Sequence, residues 1–124
     1  MDYIIPAFTM LSLDSIYLST LGNYFFKDMI KNIQKTDMKV NMYGATIVYV
    51  LLLFVIYKFI IMERKSPNEA FLLGLSIYGI FDFTNMALFK NYKLIPSIVD
   101  TIWGGILFYT TTIITYKLLN ITPK

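Results

Sequence analysis

Apolar residues run in four long blocks along this chain, over 3–26, 40–57, 70–89 and 94–116, and polar residues gather between them. Each block holds 18 to 24 residues, and their only charges are Asp14, Asp82 and Asp100. Crossing a hydrocarbon layer ~30 Å thick takes about 20 helical residues at ~1.5 Å each. Every block is long enough. One such block would fit the core of a soluble protein, but four in series, separated by Lys-rich connections, predict four transmembrane helices. None alternates apolar and polar positions as barrel strands do. With their flanks included, the helices are expected at 3–26, 40–62, 67–89 and 96–118. The fold class is then all-α, a single four-helix transmembrane domain over 1–124 with both termini on the same side.

The connections carry local signals. Ser66-Pro67-Asn68-Glu69 reads as a helix start, with Ser as N-cap, Pro at the first helical position and Glu three residues after the cap. Pro96-Ser97, with Asp100 three residues past Ser97, is a similar signal opening the last helix. The first block has no basic leader and no A-x-A site, and it is too long for a secretory signal, so it is expected in the mature protein. Residues 27–39 form an amphipathic basic loop. Its Lys27, Lys31 and Lys35 share one helical face, while Phe26, Ile30 and Ile33 share another. That pattern suits either an extension of the first helix lying at the headgroups or a basic arm toward lipid or a partner. Six basic residues fall on the side of the first and third loops and five on the other, so no positive-inside bias orients the chain.

Composition narrows the function classes. Of 124 residues, 56% are hydrophobic and 15% charged, where a soluble domain carries about 25% charge. The mean hydropathy is +0.59. Disorder is excluded, and the composition points away from an ordinary soluble enzyme. The absence of Cys and His removes disulfides, thiol chemistry, Cys/His zinc sites and imidazole catalysis. A net charge of +3 is too small to argue for nucleic acid. The expected partners are the lipid bilayer and a homo-oligomer or larger membrane assembly. Ten Lys to one Arg, with abundant Ile and Asn, is the bias of an AT-rich genome, such as a microbe or a large DNA virus.

The three acids need a reason to be there, because a carboxylate at the bilayer centre costs about 2.5–3.5 kcal/mol on insertion scales. By the helical rise, Asp82 and Asp100 lie ~10–12 Å below the third-loop lysines, and Asp14 lies ~20 Å below Lys27. Their companions fall on shared faces: Tyr78 and Asn85 with Asp82; Trp103, Gly104 and Thr111 with Asp100; Tyr17, Leu21 and Tyr24 with Asp14. The expected buried polar core is Asp14, Tyr17, Tyr78, Asp82, Asn85, Asp100 and Trp103, with Asn85 or Trp103 donating to a neighbouring Asp82–Asp100 pair. No Lys or Arg lies in the apolar blocks, so the acids are protonated, hydrogen-bonded or neutralised by a cation. One reading is adhesion between helices, helped by close approach at Ala70/Gly74 and Ser97/Thr101/Gly105. The other is a proton or cation pathway. No nucleophile–base pair or metal-ligand motif is visible, so no catalytic residue, metal or cofactor is expected.

Three segments share a pattern: Tyr78-Gly79-Ile80-Phe81-Asp82-Phe83-Thr84-Asn85, Asp100-Thr101-Ile102-Trp103-Gly104, and Leu13-Asp14 ahead of Tyr17. Together they resemble an uncharacterised family of small, mostly bacterial four-helix membrane proteins, the domain-of-unknown-function family numbered 2177. Its pattern has Leu-Asp-x-x-Trp in the first helix, Tyr-Gly-x-Tyr-Asp-Leu-Thr-Asn in the third and Asp-x-x-Trp-Gly in the fourth. Here Tyr17 stands at the Trp, Phe81 at the second Tyr and Phe83 at the Leu, so one hydroxyl is lost at Phe81. The resemblance implies the fold and the importance of Asp14, Asp82, Asn85, Asp100 and Trp103, and no activity. The expected function is a non-enzymatic integral membrane protein, a structural or interaction component of a membrane assembly, which would be a virion membrane for a viral source. The alternative is a small proton- or cation-coupled transporter or channel.

Overall fold

The computed structural model describes residues 3–124, which form four helices: α1 (Ile4–Gln34), α2 (Met42–Ile61), α3 (Pro67–Leu88) and α4 (Leu94–Leu119). Each is long and apolar enough to cross a membrane. Large apolar side chains cover the outside of the bundle, with Tyr43, Ile47, Leu51 and Phe54 on α2 all exposed. That is the exterior a hydrocarbon solvent selects.

The helix ends follow local chemistry. Asn41 caps α2 by accepting from the Tyr43 and Gly44 amides at 3.0 and 3.2 Å. Ser66 caps α3, its hydroxyl accepting from the Glu69 amide at 3.3 Å, with Pro67 behind it. The basic segment after Phe26 is helix rather than loop as far as Gln34, where Lys35 turns left-handed at φ 66° and ends it. Phe26, Ile30 and Ile33 stay half-buried there while Lys27 and Lys31 face out. The last helix starts at Leu94, earlier than the Pro96-Ser97 signal suggests. Pro96 fits inside its first turn because amides there have no intrahelical partner. Ser97 is not the cap: its hydroxyl donates to the Lys93 carbonyl at 2.7 Å, and the residue is buried.

A π-helical turn over Leu18–Gly22 interrupts α1. Pro6, Met10, Asp14 and Tyr17 point inward at helical spacing, and the next inward residues are Gly22 and Met29. The wider turn takes up one extra residue and rotates the remainder of the helix by roughly 100°. Leu21 and Tyr24, expected on the face of Asp14 and Tyr17, are therefore exposed. A second π turn, Tyr57–Ile61, closes α2. There the Tyr116 hydroxyl of α4 donates to the carbonyls of Ile60 and Lys65, at 3.1 and 2.7 Å.

The tightest packing joins α3 to α4. A Cβ on Gly74 would strike the Gly104 carbonyl and Phe108, one on Gly104 would strike the Tyr78 ring, and one on Gly105 would come within 2.7 Å of Phe71. Small residues let the two backbones approach where a larger side chain would hold them apart. Leu52, Ile56, Ile60 and Ile61 of α2 complete the apolar core with Met10, Leu107 and Phe108. The Tyr3 ring meets Tyr57 at 6.4 Å, and the Lys124 amide donates to the Arg64 carbonyl at 2.8 Å. Both contacts lie at the α2–α3 end of the bundle.

Candidate functional site

All three intramembrane acids lie inside the bundle, with Asp82 0%, Asp14 5% and Asp100 9% exposed. Each carboxyl is met by aromatic donors from another part of the chain. Asp14 on α1 accepts from Trp103 Nε1 on α4 at 2.9 Å, and from the Tyr49 hydroxyl on α2. Asp100 on α4 accepts from the Tyr17 hydroxyl on α1 at 2.8 Å. Asp82 on α3 accepts at 2.9 Å from the hydroxyl of Tyr92, in the α3–α4 connection. The Tyr17 and Trp103 rings stack at 4.7 Å, only 4° from parallel. This face-to-face contact places one donor for Asp14 beside the donor for Asp100. The network thus draws on all four helices.

Asp82 and Asp100, on α3 and α4, are both buried, and their donors are different tyrosines. Asp82 Oδ2 is buried and takes no bond from any N–H or O–H donor.

The expected donors are redistributed. Trp103 serves Asp14 and not the Asp82–Asp100 pair. Asn85 is half-buried, and the hydroxyl that reaches Asp82 is that of Tyr92. Tyr78 contributes its ring, which packs over Gly104. Phe81 faces outward, so the hydroxyl missing there leaves no gap in the network. Thr111 is buried with its hydroxyl unpartnered, as are Thr112 and Thr115. Sequence reasoning missed Tyr49 and Tyr92. Tyr49 is a hydroxyl in the middle of an apolar block, between Val48 and Val50, and that was the available signal. It also lines an apolar groove of about 400 Å³ between α1 and α2, with Ala7, Met10, Ala45 and Leu53.

Lys27, Lys31 and Lys35 stand away from this network, exposed at the end of α1, with Lys31 paired to Asp37 at 3.5 Å. Tyr92 lies outside the spanning segments, where burial pushes its phenol up; neighbouring Asp82 adds to this and Asn85 opposes it. Among the described residues, no group of three or more His, Cys, Asp or Glu side chains converges as a metal site would require.

A family model described as "Predicted membrane protein (DUF2177)" matches residues 1–117. The chain belongs to this family. The description agrees with four apolar spans, and it makes the chain a multi-pass membrane protein in contact with the lipid bilayer. No curated protein and no solved structure matches.

Proposed function

We propose that this DUF2177 member is a non-enzymatic structural or interaction component of a membrane assembly, held in shape by its carboxylate core. The observation that carries this reading is the closure of the site. Asp14, Asp82 and Asp100 are withdrawn from the surface, and the donors that reach them are side chains of the same bundle. A polar residue bonded across helices in this way is adhesion, and it replaces the water a carboxyl would otherwise require. The packing of both chain ends against the α2–α3 end supports a topology with both termini on one side of the membrane. The apolar face of α2 leaves room for neighbours of the same or another chain.

The unpartnered, buried Asp82 Oδ2 favours one second reading, a proton- or cation-coupled role, because such an oxygen has room for a proton or cation. Flux measurements separate the two. Purified protein in liposomes, under an imposed pH gradient or a cation gradient, is expected to leak no faster than empty liposomes. Asp82→Asn and Asp100→Asn, which retain hydrogen bonding but cannot titrate, are expected to behave like the native chain. Reproducible native flux that disappears in either variant would replace the adhesion reading with transport.

A further inference from the structure

At the end of the bundle that carries the α1–α2 and α3–α4 connections lies a groove of about 390 Å³. None of the three intramembrane acids lines it. Its level is set by helix length. The 31 residues of α1 rise ~46 Å, about half again the ~30 Å of a hydrocarbon core. Residues from about Tyr24 onward therefore stand at the headgroups.

One wall carries Tyr24, Asp28 and Asn32 of α1, and the other carries Lys93 and Ile95 at the start of α4. The walls are fixed to each other: the Lys93 amide donates to the Met29 sulfur at 3.2 Å, and the Phe26 and Tyr92 rings lie 6.1 Å apart. Asp28 and Lys93 do not neutralise one another, since the salt bridge present among the described residues is Lys31–Asp37. The groove thus presents a separated negative and positive charge. Ile95, Ile98, Ile102 and Ile106 then run down one exposed face of α4 into the apolar layer.

A ligand that satisfies this order has an anion, a cation and a hydrocarbon tail. We propose that the groove binds a zwitterionic phospholipid with a primary ammonium. Its phosphate sits at Lys93 and Asn32, and an acyl chain lies along the isoleucine face. Its ammonium sits at Asp28, against the ring face of Tyr24, which is 77% exposed. A carboxylate accepts hydrogen bonds from a primary ammonium, whereas a quaternary one has no N–H to donate, and an aromatic face attracts the cation. A headgroup with no cation leaves Asp28 facing its negative charge.

The test uses the full chain in phosphatidylcholine nanodiscs containing equal minor amounts of phosphatidylethanolamine and phosphatidylglycerol with matched acyl chains. Lipid retained after detergent extraction is read by native mass spectrometry. Phosphatidylethanolamine is expected to be retained about tenfold over phosphatidylglycerol, the worth of one charge-assisted hydrogen bond. Asp28→Asn should bring the two lipids to parity, and Asp28→Lys should reverse the order. Soluble glycerophosphoethanolamine in excess should not displace the lipid; displacement would overturn the assignment to a lipid. Equal retention of all three lipids by the native chain would overturn the proposal without any variant, and so would a preference for phosphatidylethanolamine that survives in both variants.

Discussion

Asp14 receives two donors from two neighbouring helices, whereas Asp82 receives one from a connection and its other oxygen is buried without a partner. The bonds that are made answer one requirement: a carboxyl in hydrocarbon must find its partners inside the protein. Tyr92 is the member of this set outside the spans. Burial raises its phenol, so the folded state holds the neutral form more firmly than the unfolded chain does. The stability this gives is full below the ordinary phenol value of about 10, and it is lost as pH rises through the raised folded value. Between about pH 9 and pH 12, the unfolding midpoint is expected to fall, and to fall less in Tyr92→Phe. Equal slopes in the two proteins would remove Tyr92 from the account. The sequence made the acids, Tyr17 and Trp103 legible, because helical spacing groups them on faces. It hid Tyr49, since the α2 block is apolar all round and has no polar face to mark its inside. Tyr92 lies between lysines in a short connection, outside the blocks whose helical spacing groups the other residues.

At the level of elements, capping chemistry was readable where it is local. Ser66 and Pro67 start α3 as their types require. The π turn over Leu18–Gly22 was not readable, since Ser19, Thr20 and Gly22 weaken a helix without specifying a wider turn. It is set by what α1 meets on either side: Asp14 and Tyr17 must face the polar core, and Met29 must face the α3–α4 connection. The α3–α4 contact was readable as small residues at helical spacing, although spacing alone does not say what fills the opposing surface. Tyr78 over Gly104 supplies that answer, and a matched pair of variants checks it. Gly104→Ala places a methyl group against the Tyr78 ring and is expected to cost about 1–3 kcal/mol by overpacking. Gly44→Ala meets nothing within 4 Å and is expected to stabilise by up to about 1 kcal/mol through helix propensity. Thermal unfolding in one detergent reads both, and equal effects of the two substitutions would contradict the close approach.

In the whole molecule, the α3–α4 pair is joined by close backbone approach, while α1 and α2 rely more on the polar network. Through Asp14, α1 reaches both α2 and α4; through Tyr17, it reaches α4 a second time at Asp100. If these bonds hold the bundle together, removing an acceptor must cost more than removing its charge. The direct measurement is unfolding of Asp14→Leu and Asp14→Asn beside the native chain in one detergent. Asp14→Leu leaves the Tyr49 and Trp103 donors unpaired, at about 1–3 kcal/mol each, and Asp14→Asn keeps an acceptor and should stay within about 1 kcal/mol of the native chain. Equal stability of the leucine and asparagine variants would contradict the claim that these hydrogen bonds hold α1, α2 and α4 together.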